Sequence, residues 1–555
     1  MGLLPGDAER PRLRGNPGFR LKHQHSIHVL ELYQISLAAV TGDIAAQKKG
    51  TAEMAEIKHT RGKRVLSGLG VLTLAAAGLL GGTGAALADD NSALNTGNID
   101  QGREGSIKIH KHKHQNGTSA TQNPAGTGDA INSEGIAGVE FTAYQLTDID
   151  LSDTNDWDQL DNLDLSNACT SIPGHTLGTP IVADVTNSQG VSTLTDLKLG
   201  AYVVCETDAP ASVVDRSQPF VVAIPTPYEN AWVYDVNVYP KNGTSDITKS
   251  IDPQSDLGLG GVVNFPVTVT VPKTKGDELL TKFEIVDTFD SRLGLNDDGV
   301  ASVKLGGADV DSSYYTVSND GQSVKVTFNE AGRQWLKSQG EKKVVVTFSA
   351  EVKEVGEISN DATAYINTPG HDGTIESDPV NTNWGDLVIQ KLAAGSNATL
   401  ADAVFEVYAA EAPYAGGSCD TAVATGSALE VNGRTEFTSG PNGVVDIAGL
   451  FVSDSVNPTI NAEQRCYVLK EVKAPTGYVT PTGAKALTGV AVKTGANTAN
   501  VYDATIVNSQ QDVPELPLTG ANGQILMVIG GTAVLLLAGG LVIVSRRRSA
   551  REETK

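Results

Sequence analysis

The sequence predicts an all-β protein made of tandem β-domains, and three observations carry that prediction. Aromatic residues make up only 5% of the 555, whereas glycine occurs 59 times. Short apolar segments alternate with polar residues, the period of half-buried strands. Away from the chain ends no stretch holds a helical period, and the loops are rich in Asn, Asp, Gly and Thr. An exported stretch of about 430 residues fits two to four such domains.

The ends are of another kind. Leu516, Pro517, Leu518, Thr519 and Gly520 precede an apolar run over 525–544, with a basic stop at Arg546, Arg547 and Arg548. The run is long enough for one transmembrane helix, and the arginines mark its cytoplasmic end. From Met54 onward, Lys58, Arg61, Lys63 and Arg64 precede the apolar stretch 65–80, and Ala86-Leu87-Ala88 has a small-x-small cleavage pattern. That is a secretory signal, with cleavage between Ala88 and Asp89. Residues 1–53 lie upstream of it and read as an over-extended start, or else as a long leader.

Removing residues 1–88 and 520–555 takes 16 basic and 8 acidic side chains from totals of 42 and 65, which leaves a net charge of −31. Such a surface excludes nucleic acid as a partner. All four cysteines lie in the exported part, as suits an oxidising location. Their order and spacing suggest Cys169 with Cys205 and Cys419 with Cys466; the sequence leaves other pairings open.

Alternation then sends unusual side chains inward. In Ser106-Ile107-Lys108-Ile109-His110-Lys111, Lys111 shares a face with two isoleucines, and in Tyr202-Val203-Val204-Cys205-Glu206 the carboxyl of Glu206 follows Tyr202 and Val204. A strand from Trp232 to Tyr239 is expected to stop at Pro240 and the turn-forming Asn242-Gly243. The pattern returns late in the chain as an internal repeat that sends Lys391, Glu471 and Asn508 into one core. Between the repeats, Lys249 lies between Ile247 and Ile251, Asp287 ends an alternating strand, and Asn360 points inward. Asp148 to Asp164 reads as a solvated acidic loop that fits no EF-hand spacing. His110, His112 and His114 read as a polar exposed strand, with no metal site assigned.

A buried lysine loses hydration of its charged form, so its pKa falls, while a buried carboxyl is pushed to stay protonated. The neutral amine is then a nucleophile, and a neutral carboxyl can stabilise the oxyanion formed when it adds to an asparagine amide. Loss of ammonia leaves an amide crosslink, with no cofactor and no turnover. The competing reading is a set of satisfied buried ion pairs.

Three motifs carry a resemblance to the backbone subunits of sortase-assembled pili in Gram-positive bacteria. Trp232, Val236, Val238, Tyr239, Pro240 and Lys241 match the pilin motif. Tyr467, Leu469, Glu471, Val472, Ala474, Pro475, Gly477 and Tyr478 match the E-box, with valine in place of the usual threonine. Residues 516–520 match the LPxTG sorting signal. The resemblance implies immunoglobulin-like β-sandwiches like the A-type and B-type domains of collagen adhesins, framed by the signal peptide and the sorting helix. It implies isopeptide bonds from Lys391 to Asn508 with Glu471 assisting, and from Lys249 to Asn360 with Asp287 assisting. In the first domain either a further bond joins Lys111, assisted by Glu206, to Asn242 or to Asn237, or the disulfide takes the locking role instead.

The same resemblance implies cleavage between Thr519 and Gly520 by a pilus-specific class C sortase. The Thr519 acyl group then passes to Lys241 of another copy, and a housekeeping sortase anchors the finished fimbria to peptidoglycan. The implied partners also include ancillary pilins and a host receptor; the precursor crosses the membrane transiently. A monomeric wall-anchored adhesin or an ancillary pilin is the alternative. A hydrolase finds no support, for there is no Gly-x-Ser-x-Gly or His-Glu-x-x-His motif and only five histidines follow residue 88. The expected divisions are a leader at 1–53, signal peptide at 54–88, β-domains at 89–244, 245–384 and 385–515, the sorting motif at 516–520, and the helix with its tail at 521–555.

Overall fold

The computed structural model describes residues 98–114, 122–414, 416–510 and 521–552. The signal peptide with Ala88 and Asp89, and the sorting residues 516–520 with Thr519 and Gly520, lie outside the described residues. The regular structure of the described residues is β-strand, apart from short helices and the C-terminal helix Ala521–Glu552. That helix contains Met527–Val544, with a mean hydropathy of 2.5, long and apolar enough to cross a membrane.

The first β-region is a sandwich. Strand Gly105–His110 pairs in parallel with Asp235–Val238 and antiparallel with Val191–Leu197. A second sheet runs in the order Ile181–Val182, Glu140–Gln145, Gly200–Asp208, Phe220–Ile224. Ile107, Ile109 and Val236 from one sheet meet Phe141, Tyr202 and Val222 from the other in a common core. Period-2 alternation thus closes the core and carries Lys111 to its edge.

The middle region packs two five-stranded antiparallel sheets. Strand Val262–Thr270 buries every second side chain between Ile247–Lys249 and Lys343–Val352. Phe283 and Phe328, from neighbouring strands of the facing sheet, meet edge to face at 5.3 Å.

In the last region the long strand Val380–Ala393 pairs with Val444–Asp454 along one side. On its other side it pairs first with Gly356–Asn360 and then, in parallel, with Ala504–Asn508. The opposing sheet is built on Val404–Ala410, Gln464–Lys473 and Leu487–Lys493.

The structure alters the sequence reading in several places. Residues 384 and 385, on either side of the expected division, both lie inside strand Val380–Ala393, because Trp384 is wholly buried and the hydrogen-bonded ladder runs on past it. One core accordingly joins the middle and last regions. The first region is tied to the middle one through Val213–Asp215. Val214 belongs to the middle region's core, and its carbonyl accepts from Thr368 Oγ1 at 3.2 Å.

The chain does not turn at Asn242-Gly243 but continues as strand Lys241–Thr244, between His112–Lys113 and Val213–Asp215. Gly243 is there for closeness and not for turning: a Cβ would lie 2.3 Å from Lys273 O of the middle region. Within the acidic segment, Thr154–Leu160 is a helix capped by Asp153, whose side chain accepts from Asn155 N. Trp157 and Leu160 pack against a small core around the Cys169–Cys205 disulfide, and that apolar anchor makes it more than a solvated loop.

Candidate functional site

Three buried clusters bring together the side chains that alternation sent inward. In the last region Lys391 is wholly buried, and its Nζ lies 2.6 Å from Asn508 Oδ1 and 3.1 Å from Glu471 Oε2. Asn508 Nδ2 donates to the other carboxylate oxygen, Oε1, at 2.7 Å, which closes a ring of hydrogen bonds. The lysine and the asparagine stand on neighbouring parallel strands, and Glu471 reaches them from the opposing sheet. Burial lowers the Lys391 pKa and Glu471 opposes that shift.

The first region repeats this geometry. Lys111 Nζ donates to Glu206 Oε2 at 2.7 Å and to Asn242 Oδ1, while Asn242 Nδ2 donates to Glu206 Oε1 at 2.7 Å. Burial brings the Lys111 pKa down to about 8 against the pull of Glu206. Of the two asparagines left open by the sequence, Asn242 is in the cluster, whereas Asn237 bonds to His110 Nε2 at 2.9 Å. The sequence reading missed Ser217, whose Oγ and N donate to Glu206 Oε2 at 2.6 and 3.2 Å. It sits in a loop where no periodicity could mark it.

The middle cluster is built differently. Lys249 lies at a sheet edge, Asp287 in the facing sheet, and Asn360 on the strand that pairs with Val380–Ala393. Lys249 Nζ donates to Asp287 Oδ2 and, at 3.3 Å, to Asp361 O. Asn360 Nδ2 is 3.5 Å from Asp287 Oδ2; Asn360 Oδ1 and Asp287 Oδ1 are buried with no partner among the described residues. Burial lowers the Lys249 pKa and raises that of Asp287.

Lys241 has a different setting. It is half-buried, and its pKa is lowered by burial. Among the described residues its amine has no carboxylate partner. Around it Val236 and Val238 are buried and Tyr239 stacks on His110 at 4.9 Å. Trp232 donates from Nε1 to Asn98 Oδ1 at 2.9 Å and lies 6.2 Å from Trp157, ring to ring. The three alternating histidines go to separate partners: His110 to Asn237, His112 to Ser133 O and His114 to Asp215. The disulfides join Cys169 to Cys205 and Cys419 to Cys466.

Known proteins share both the sequence and the fold. Residues 102–243 match the N-terminal domain of Gram-positive pilin subunits, called D1, and residues 508–550 match the LPXTG cell wall anchor motif. The chain is 37% identical to a fimbrial subunit type 2 of Actinomyces naeslundii, over 88% of this chain and 97% of that protein. It is 30% identical to a fimbrial subunit type 1 of Actinomyces viscosus, over 87% and 98% respectively. The full-length major pilin SpaD of Corynebacterium diphtheriae superposes with a TM-score of 0.62 at 28% identity, covering 75% of this chain and 99% of that one. The chain therefore belongs to the family of Gram-positive fimbrial subunits, structural proteins and not enzymes, and is a pilin of a surface pilus anchored at the cell wall.

Proposed function

We propose that this chain is the shaft subunit of its pilus, locked internally by three lysine-asparagine amide bonds and joined to its neighbours through Lys241. In each cluster the neutral lysine Nζ adds to the asparagine Cγ, the Cγ–Nδ2 bond breaks and ammonia leaves. In the first and last clusters the carboxylate touches both nitrogens, so it takes a proton from Nζ on one oxygen and returns it to Nδ2 from the other. Glu471 does this between Lys391 and Asn508, Glu206 between Lys111 and Asn242; Asp287 assists Lys249 and Asn360.

Between subunits, a class C sortase holds the Thr519 acyl group as a thioester, and Lys241 of a second copy displaces the enzyme's sulfur. The observation that carries this reading is the double face of strand Lys241–Thr244. Asn242 is fully buried against Lys111, while the adjacent Lys241 is half-buried without a carboxylate partner among the described residues. A lysine free of an ion pair and lowered in pKa is suited to attack an incoming acyl group.

A denaturing immunoblot of enzymatically released walls tests the linkage. The native protein is expected to give a high-mass ladder that collapses to monomer in Lys241→Ala. An unchanged ladder would exclude Lys241. Intact mass of residues 89–519 counts the ammonias lost: three are expected, and none would overturn the internal bonds.

A further inference from the structure

Polymerisation through Lys241 makes the attacking nitrogen positively charged as it bonds to carbon, and that nitrogen must lose a proton before sulfur can leave. In the internal clusters a carboxylate stands ready for this; beside Lys241 there is none among the described residues. The residue opposite it is His112. Strands His112–Lys113 and Lys241–Thr244 run in parallel with His112 in register with Lys241. Lys111 and Asn242 are both fully buried in the core, so their neighbours His112 and Lys241 leave the sheet together on its other face.

His112 is nevertheless only 9% exposed. The chain folds back over it, with Gly135 bridged to His112 and Ser133 O 2.7 Å from Nδ1. A carbonyl only accepts, so Nδ1 carries the hydrogen and the neutral ring keeps its lone pair on Nε2. No hydrogen bond to Nε2 occurs among the described residues.

We propose that His112 Nε2 is the proton acceptor for Lys241 during subunit linkage, an inference that rests on the role proposed above for Lys241. Lys241 first loses one proton to water and attacks the thioester carbon. The Nζ–C bond forms, His112 takes a proton from the positively charged nitrogen, the C–S bond breaks, and the imidazolium returns that proton to the departing sulfur. Amine and thioester become amide and thiol, and the ring ends neutral.

The surroundings suit this role. Burial, and then the charge of Lys241, hold the His112 pKa below its ordinary value, so the ring is neutral when the acyl group arrives. The other charged or titratable groups nearby are His110, Tyr239, Lys113 with Glu134, and His114 with Asp215. Lys113 and His114 already have carboxylate partners.

The test is ligation of the full exported chain to an LPLTG peptide by its pilus sortase, comparing native protein with Lys241→Arg, His112→Asn and His112→Gln. His112→Asn keeps an N–H donor for Ser133 O but has no base. Lys241→Arg is expected to abolish ligation; if it does not, the proposed role of Lys241 fails. With Lys241→Arg inactive, His112→Asn is expected to slow ligation about a hundredfold at neutral pH. The native-to-variant rate ratio is expected to fall toward one as the pH drops through the histidine's ionisation, where the sortase's own titration cancels. A ratio of one at every pH overturns the role of His112 alone. Should neither histidine variant fold, acylation of native Lys241 by a small thioester, followed by mass spectrometry against pH, must show the histidine ionisation. Its absence would equally overturn the proposal.

Discussion

Lys391 and Asn508, both buried on adjacent parallel strands, hold an amine nitrogen 2.6 Å from an amide oxygen. Glu471 spans the pair, touching Nζ with one oxygen and Nδ2 with the other. An ion pair alone would require only the first of those contacts.

Glu471→Gln removes the proposed proton carrier and keeps the shape. The variant is expected to retain the ammonia of Asn508, which intact mass reads directly. It is also expected to be less stable by about 3–5 kcal/mol in thermal unfolding, because Lys391 would remain buried without its anion. A variant with native mass would remove Glu471 from the chemistry.

The first cluster predicts a pH dependence. Burial lowers the Lys111 pKa from 10.5 to about 8, so between those values the folded chain binds fewer protons than the unfolded one. Before crosslinking, the stability of this region therefore rises as the pH climbs through that window. The neutral amine fraction grows about tenfold per pH unit up to about pH 8. Ammonia loss after refolding, timed by mass, is expected to follow that rise and then level off. A flat profile would contradict it.

Gly243→Ala tests the junction without touching Lys241. The new methyl would lie 2.3 Å from Lys273 O and 2.9 Å from Asp215 Cβ. Relief of that clash is expected to cost about 1–3 kcal/mol in the melting of the first region and to weaken the immunoblot ladder. A native ladder and melt would mean that the two regions can part without displacing Lys241.

Trp384→Ala would open a cavity beside Phe451, whose ring lies 5.5 Å away. A loss of about 3–5 kcal/mol is expected, with calorimetry resolving the middle and last regions as two transitions where a single one is expected of the native chain. A single unshifted transition would show that Trp384 does not bind the two together.

Much of this was readable before any fold was known, because period-2 alternation places a lysine, a carboxyl and an asparagine inward without reference to tertiary structure. Lys111, Glu206, Lys391, Glu471 and Asn508 were all legible in that way. Asn242-Gly243 was misread because the pair favours a turn locally, while the closeness of Lys273 and the pull of Lys111 on Asn242 are long-range effects. The helix at Thr154–Leu160 depends on Trp157 finding an apolar patch far along the chain. His112 looked like one of three equivalent histidines until the register set it opposite Lys241. Ser217 carried no pattern at all.

The unbroken strand Val380–Ala393 has a consequence for the fibre as a material. Asn360 is paired with Val380 at one end, and Lys391 lies near the other, so two of the three clusters hang on a single extended segment. The eleven steps between Val380 and Lys391 span roughly 36 Å of β-strand, paired along one side with Val444–Asp454 except where the register shifts before Trp384 and after Gly385. A load entering at one cluster reaches the next along one strand, without crossing a loop. Tension between the middle and last regions of each subunit is thus borne by backbone and a shared core, with no flexible linker to pay out between them.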